Sequence, residues 1–436
     1  MPFRDLVVFG VVFTIVPLAL RSPWIGVMGW TWLSLMNPHR QAWGPAFDFQ
    51  FAQLVAGATL LGLVFTREPR KFKSEPEVWL LIVLLIWMSV TTITALEAIA
   101  AQEMWIRVLK IQVMTFVALL VLHSRRHIDT LVAVCVLSIG YYSVKGGLFT
   151  ILTGGAHRVY GPADSFIADN NTMALATIMT IPLMVYLAQR VEKRWMRVAI
   201  GAAAVLSCAS ALGSHSRGAL LAIAAMSGFL WLRSPQKLGY GAAIVLVAIA
   251  FVPFMPEQWF TRMGTITEYE SDGSALGRIN AWRTALNIAN ARLLGGGFEF
   301  YSFATFAVYA PDPNDLKSAH SIYFQVLGEH GWIGLLLFLG MWLSVWRTCQ
   351  RIRRDTIERA ELKWAGQLAS MIQVSLVGYA VGGTFLNLAY FDLPYYELIL
   401  VVVTRWHIDH AAMPMKKAST AGTSALQQFA AGHPKI

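Results

Sequence analysis

A histidine and two arginines stand at the boundaries between polar segments and apolar runs of this 436-residue sequence. Arg217 occupies a short polar junction between two apolar runs, Arg278 lies in a longer polar segment, and His320 directly precedes another apolar run. An imidazole titrates near neutral pH and can take a proton from a hydroxyl group. Guanidinium groups bind phosphate oxygens in bidentate fashion and stabilise negative charge on a leaving group. These residue types predict proton transfer beside a phosphate-bearing substrate.

Helices must hold these side chains at a membrane surface, and the amino-acid composition indicates such helices. The sequence is 56% hydrophobic and only 14% charged, and its mean hydropathy is +0.53. Apolar runs recur from one end to the other, and a helix that spans a membrane needs roughly 20 apolar residues. The sequence therefore predicts an all-α, polytopic integral membrane protein with about 12 transmembrane helices.

Lys and Arg are concentrated in loops that alternate with the apolar runs, and the positive-inside rule places such loops in the cytoplasm. The loops are residues 67–73, 125–126, 190–197, 233–237 and 347–363, together with the tail from residue 405. They account for most of the net charge of +10, so no nucleic-acid partner is predicted. The opposite loops then face the periplasm.

The chain divides into four predicted segments. Residues 1–255 form N-terminal transmembrane helices, 256–320 a periplasmic helical segment, 321–408 C-terminal transmembrane helices, and 409–436 a cytoplasmic tail that is predicted to be disordered. Within the first 66 residues, two crossings with an interfacial piece and three crossings remain open alternatives.

Helices are expected from the apolar runs and their flanking charges. Their predicted ranges are 78–96, 104–122, 128–152, 171–189, 198–214, 218–232, 238–255, 321–346, 364–390 and 395–406. Residues 274–294 predict an amphipathic helix with Leu276, Ile279, Trp282, Leu286 and Ile288 or Ala289 on its apolar face. Cys135, Cys208 and Cys349 are far apart and lack a CxxC spacing, so neither a disulfide framework nor a thiolate metal site is predicted.

A second group of cations lies on the side opposite to the basic loops, where topology disfavours positive charge. It comprises Arg107, Lys110, Lys145, Arg158, Arg217, Arg262, Arg278, Arg283, Arg292 and Lys317. These side chains predict either a cavity for an anionic group or snorkelling to lipid phosphates. For Arg217, at the tip of a tight helical hairpin, the anion site is favoured because an uncompensated guanidinium is costly in lipid.

Three motifs resemble those of the bacterial O-antigen ligase family. Ser214-His-Ser-Arg217-Gly resembles its Ser-Arg-Gly motif, and Gly277-Arg278-Ile-Asn-Ala-Trp282 with Gly295–Gly297 resembles its outer-loop Arg-x-x-x-Trp and glycine pattern. The run from His320 through Glu329 to Gly331 resembles the signature that ends this loop. The N-terminal region resembles the O-glycosylation ligases associated with exosortase systems.

The resemblance implies a GT-C-like, inverting glycosyltransferase of the inner membrane with a periplasmic active site. It would move a glycan from undecaprenyl diphosphate to a sugar hydroxyl of lipid A-core, among membrane lipids and with no metal or other cofactor. His320 would be the general base, and Arg217 and Arg278 would hold the diphosphate. Further substrate contacts are predicted at Lys110, Lys145, Arg158, Arg107, Trp282 and Asn170.

Other interpretations remain open at this point. An O-antigen polymerase or a protein O-oligosaccharyltransferase would use the same donor with a different acceptor. In a transporter or flippase of lipid-linked substrates, the outer cations would line the path of the substrate. Asp312 and Asp315 raise a metal hypothesis, although acidic proline-rich loops are usually solvated turns. Asp169 and Asn170 can cap a helix or contact a glycan.

Overall fold

The computed structural model describes residues 2–234, 236–264 and 273–411. Within these ranges the chain forms helices and loops, and no strand occurs. Eight of the described helices are long and apolar enough to cross a membrane. The protein is therefore an all-α, polytopic membrane protein, as the composition predicts. Most of the predicted disordered tail, residues 412–436, lies outside the described residues.

Sixteen α-helices follow one another along the described chain. They are α1 (Phe3–Arg21), α2 (Pro23–Met36), α3 (Phe51–Phe65), α4 (Pro76–Ile93), α5 (Ala98–Val121), α6 (Arg125–Leu152), α7 (Asn170–Arg190), α8 (Arg194–Gly213), α9 (Arg217–Arg233), α10 (Lys237–Phe251), α11 (Glu257–Gly264), α12 (Gly273–Ala291), α13 (Phe303–Tyr309), α14 (Ile322–Thr356), α15 (Lys363–Gly382) and α16 (Asp392–Ala411).

The basic loops meet at one end of the helical bundle. The guanidinium of Arg125 lies 5.1 Å from the ring centroid of Trp364, and the ammonium of Lys73 lies 5.2 Å from that of Trp406. The guanidinium of Arg405 also contacts the Asp355 carboxylate at 2.6 Å. Loops that are distant in sequence therefore share one end, and we call the other end the His320 end.

The three apolar runs of the first 66 residues all extend between the two ends. Thr66 at the end of α3 donates a hydrogen bond of 3.4 Å to the carbonyl of Arg21, where α1 ends. Trp24 at the start of α2 stacks on His127, whereas the carbonyl of Met36, where α2 ends, accepts a hydrogen bond from Tyr142 further along α6. These contacts favour the three-crossing alternative and place residues 2–4 and 37–50 toward the His320 end.

Helix α14 is broken at Gly331, a feature that its apolar pattern did not predict. Gly331 has φ 66° and ψ −172°, outside the helical region. The backbone N–H groups of Gly296 and Gly297 donate to the carbonyls of Gly328 and Glu329, each at 2.8 Å. The glycine run after α12 thus supplies donors to carbonyls beside the break, as buried backbone groups require.

Helix α12 packs on α14 through a face that matches the predicted one only in part, at Ile288 and Ala289. Its buried positions include Ala281, Thr284, Ala285 and Ile288. Leu276, which the periodicity placed on the apolar face, is 49% exposed. Small side chains let the two helices approach closely, so packing against a helix rather than apolar bulk determines which face is buried.

We predict that Gly295→Ala destabilises the protein by about 2 kcal/mol. Gly295 has φ +68°, and an added Cβ would lie 2.6 Å from the Gly331 nitrogen and 2.7 Å from the Glu329 carbonyl oxygen. Thermal unfolding in detergent, followed by intrinsic fluorescence, measures the effect. Gly201→Ala is the matched control because nothing lies within 4 Å of its added Cβ. Equal melting temperatures for both variants would contradict this account of the α14 break.

Candidate functional site

His320 lies in a loop two residues before α14 and is half-buried. Its backbone adopts the left-handed conformation, with φ 43°, which is uncommon for a residue with a side chain. Burial lowers the pKa of His320 below its ordinary value of 6.5, and the positive charge of Arg278 lowers it further. The Asp169 carboxylate opposes this shift, and Lys317 adds to it. The lowered pKa favours the neutral imidazole, whose unprotonated ring nitrogen can accept a proton.

Helix α12 holds the loop that leads to His320. The indole nitrogen of Trp282 donates a hydrogen bond of 2.6 Å to the carbonyl of Ala319, and the Trp282 ring stacks on Phe324 with a centroid distance of 4.9 Å. Two residues earlier, the side-chain amide of Asn280 donates to the carbonyls of Asp312 and Asp315. Trp282, predicted to contact substrate, thus supports the backbone next to His320.

Arg217 is the first residue of α9 and follows a tightly bonded turn. The hydroxyl of Ser216 caps the helix by accepting from the backbone N–H of Ala219 at 3.3 Å. The His215 ring donates from Nε2 to the carbonyl of Gly155 at 2.8 Å, and its backbone has φ 57°. We call residues 212–218 the Arg217 hairpin.

The N terminus of α7 lies between the Arg217 hairpin and His320. Asp169 caps α7, accepting from the backbone N–H of Asn171 at 2.7 Å, and its charge acts on His320. The buried side-chain amide of Asn170 donates to the carbonyl of Ser214 at 2.7 Å. Asp169 therefore forms the predicted cap, and Asn170 positions the hairpin.

A turn at residues 383–385 provides a second connection between the same two segments. A Cβ placed on Gly218 would lie 3.2 Å from the Phe385 side chain, and one on Gly383 would lie 2.7 Å from Ile322. The backbone N–H of Ser321 donates to Asn387 at 3.3 Å. Helix α9 begins with Arg217, and α14 begins two residues after His320. The starts of both helices thus lie against this one turn.

The other predicted contact residues fall into two separate cavities. Arg107 and Lys110 line one of about 150 Å³, in which the Arg107 guanidinium lies 3.8 Å from the ring centroid of Phe166. Lys145 and Arg158 line a second of about 350 Å³. Neither cavity is lined by His320, Arg217 or Arg278. The structure therefore brings together only part of the predicted set.

Glu329 and His330 make structural contacts inside the helical bundle. Both are fully buried in α14. The Glu329 carboxylate accepts a hydrogen bond from the Tyr390 hydroxyl, and His330 Nδ1 lies 2.7 Å from the Thr91 hydroxyl. These contacts anchor α4 and the segment that precedes α16 to the helix that follows His320.

The acidic loop before His320 is tied to neighbouring residues. The Asp315 carboxylate pairs with Lys317 at 3.1 Å, and the backbone N–H of Asp312 donates to the Asn280 side chain at 3.0 Å. Over residues 2–234, 236–264 and 273–411, no group of three His, Cys, Asp or Glu side chains is arranged to hold a metal ion. The side chain of Arg262, one of the predicted outer cations, lies outside the described residues.

The sequence interpretation missed four residues of these sites. Arg4 and Arg40 line the larger cavity, whereas the turn with Phe385 and Asn387 supports the starts of α9 and α14. The arginines could have been found only by deciding the N-terminal topology, which places Arg4 and Arg40 at the His320 end. No local pattern distinguished the 383–385 turn.

The fold and the site together define a multi-pass membrane protein with a neutral histidine and two arginine-bearing segments at one end of its bundle. Residues 202–339 match the family model described as O-antigen ligase. This segment of the chain is thus similar to the O-antigen ligase family, whose members are glycosyltransferase-like enzymes. Residues 3–192 match a family of unknown function. A search of curated proteins finds no match to the chain.

We predict that the two charged neighbours move the pKa of His320 in opposite directions. Arg278→Gln raises this pKa because a nearby positive charge is removed, and Asp169→Asn lowers it further. The pH dependence of His320 modification by diethyl pyrocarbonate, followed by peptide mass spectrometry, reports the pKa. Arg283→Gln is the matched control because Arg283 lies on the same helix and is exposed. Identical titration midpoints in all four proteins would show that these charges do not act on His320.

Proposed function

We propose that the protein is an O-antigen ligase, an inverting glycosyltransferase that moves a glycan from undecaprenyl diphosphate to a sugar hydroxyl of lipid A-core. The observation that carries the proposal is the arrangement of His320 beside Arg278 and Asp169, with the N terminus of α7 joining this group to the Arg217 hairpin. The O-antigen ligase family domain covers the residues of both arginines and the histidine.

His320 is the general base of the proposed reaction. Its neutral imidazole takes the proton of the acceptor hydroxyl as the oxygen attacks the anomeric carbon of the donor sugar. The new bond forms as the bond from this carbon to the diphosphate oxygen breaks, which inverts the configuration. The products are the glycosylated acceptor, undecaprenyl diphosphate and a protonated His320 that returns its proton to water.

Arg217 and Arg278 hold the diphosphate leaving group. Two guanidinium groups can form bidentate hydrogen bonds to phosphate oxygens and stabilise the negative charge that develops as the bond breaks. A diphosphate leaves as a stable anion and needs little protonation, so one base is sufficient and a second carboxylic acid is unnecessary. No metal ion or other cofactor takes part in this proposal.

The His320 end is assigned to the periplasmic side of the bacterial inner membrane. The basic loops gather at the opposite end, and the positive-inside rule places that end in the cytoplasm. An undecaprenyl chain would lie in the bilayer while its diphosphate reaches the arginines at the surface. The GT-C-like description of the fold belongs to this proposal.

We predict that His320→Gln lowers kcat by about 100-fold or more because the general base is lost. Arg217→Ala and Arg278→Ala lower kcat/KM roughly 100-fold because a leaving-group contact is lost. Purified protein in nanodiscs, with a radiolabelled lipid-linked glycan and lipid A-core, provides the measurement.

His157→Gln and Arg283→Gln are the matched controls for these variants. Both residues are exposed in described segments, and we expect nearly normal transfer from both variants. Near-normal turnover in folded His320→Gln, Arg217→Ala and Arg278→Ala would refute the assignment.

We predict that lipid-linked repeat units supplied without lipid A-core yield no longer glycan chains. A ligase requires a separate acceptor, whereas an O-antigen polymerase extends one lipid-linked glycan with another. Gel separation of the labelled products measures chain length, and addition of lipid A-core is the positive control. Chain growth without lipid A-core would favour the polymerase, and transfer to an added acceptor protein would favour a protein O-oligosaccharyltransferase.

A further inference from the structure

The larger cavity at the His320 end is a cationic cleft built from separate segments of the N-terminal half. It has a volume of about 350 Å³ and is lined by Arg4 of α1, Arg40 of the turn after α2, Lys145 of α6, and Arg158 of the loop that precedes α7. We call it the Arg158 cleft. Only the fold brings these charges together, because they lie far apart in sequence.

The positive charge of the Arg158 cleft is only partly balanced. Arg40 lies 3.6 Å from the Asp48 carboxylate and 3.4 Å from that of Asp164. Lys145 and Arg158 form no ion pair with any carboxylate of the described residues. The cleft therefore holds an excess of positive charge. This charge attracts an anion, which also reduces the repulsion between the cations.

Aromatic rings stand at the cleft beside these cations. Trp43 is 78% exposed and Tyr160 is 58% exposed, and the Arg4 guanidinium lies 4.5 Å from the ring centroid of Trp43. Exposed ring faces of this kind pack on the C–H face of a sugar ring, whereas the cations bind a charged substituent. The combination suits a sugar that carries a phosphate or carboxylate group.

The floor of the cleft is held in place by hydrogen bonds and close packing. The Gln41 amide donates to the Tyr142 hydroxyl, and this hydroxyl donates to the carbonyl of Met36, both at 2.7 Å. An added Cβ on Gly146 would lie 2.6 Å from the Val159 side chain. Only a glycine at this position lets the residue after Arg158 pack on α6, so the cleft is largely preformed.

The loop of the Arg158 cleft continues directly into the candidate active site. Residues 158–168 lead to Asp169, which acts on His320, and to Asn170, which holds Ser214 of the Arg217 hairpin. The carbonyl of Gly155, in the same loop, accepts a hydrogen bond from His215. A sugar in the cleft would therefore contact the same loop that supports the Arg217 hairpin, and it would not occupy the place of the diphosphate because His320, Arg217 and Arg278 do not line the cleft.

We infer that the Arg158 cleft binds an acidic sugar, one that carries a phosphate or carboxylate group, through Lys145, Arg158 and the exposed faces of Trp43 and Tyr160. The assignment of this sugar to a glycan substrate rests on the proposed function. The phosphate of a membrane lipid head group offers the same charge, so the experiment must separate the two sources.

Saturation-transfer difference NMR tests the inference because it detects weak binding to large particles. The full-length protein is placed in phosphatidylcholine nanodiscs, and the probes are mannose 6-phosphate, galacturonic acid and neutral mannose. We expect saturation of both acidic sugars, with mannose at least fivefold weaker. In Lys145→Gln/Arg158→Gln we expect the acidic-sugar signal to fall at least fivefold. Both side chains are exposed, and size-exclusion profiles and melting temperatures verify folding.

Two controls make the result specific. Arg283→Gln removes one exposed positive charge from α12 and should leave the saturation unchanged. His320→Gln should also leave it unchanged, because His320 does not line the cleft. Near-normal glycan transfer by His320→Gln together with intact sugar binding would contradict the proposed reaction but not the cleft assignment. An active wild-type enzyme that binds no acidic sugar would contradict the cleft assignment alone.

Three outcomes would overturn the inference. These are equal saturation by mannose and mannose 6-phosphate, unchanged saturation in the double variant, and loss of the sugar signal when phosphatidylglycerol is added to the nanodiscs. The last result would identify a lipid head group as the occupant.

Discussion

The hydrogen bond from the Asn170 amide to the Ser214 carbonyl is the contact on which the candidate site depends. It is buried, and a buried carbonyl left without a donor costs about 1–3 kcal/mol. The neighbouring residue, Asp169, caps α7 and also acts on His320. Two adjacent residues at one helix terminus thus set the position of the Arg217 hairpin and the electrostatic environment of the imidazole.

The break in α14 shows how a membrane protein places a loop residue beside a helical bundle. Within a bilayer every backbone group needs an internal partner, so an interrupted helix is tolerated only where other protein groups supply the hydrogen bonds. Gly296 and Gly297 do this for Gly328 and Glu329. The same contacts fix the end of α12, whose Trp282 holds the carbonyl next to His320. The glycine run therefore contributes to the geometry of a histidine more than 20 residues away.

Much of the fold could be predicted because a bilayer imposes length and hydropathy on each crossing. Helices α4 to α10 lie close to their predicted ranges, and the basic loops meet at one end as the charge pattern indicates. The break at Gly331 was missed because the apolar runs before and after Gly328-Glu-His-Gly331 fit one continuous helix. The buried face of α12 was predicted only at Ile288 and Ala289, because periodicity ranks large apolar side chains above Ala281 and Ala285, whereas close helix packing selects small ones.

The residue types of the site could also be predicted, but their grouping could not. Arg107 and Arg158 both look like unexplained cations in the sequence, yet the structure gives them different surroundings. Arg107 stacks on Phe166, and the carboxylates of Asp392 and Glu299 act on its charge. Arg158 and Lys145 line the Arg158 cleft and form no ion pair with a carboxylate of the described residues. Because charge compensation depends on contacts between distant segments, only the fold separates an arginine that stabilises the bundle from one that is available to a ligand.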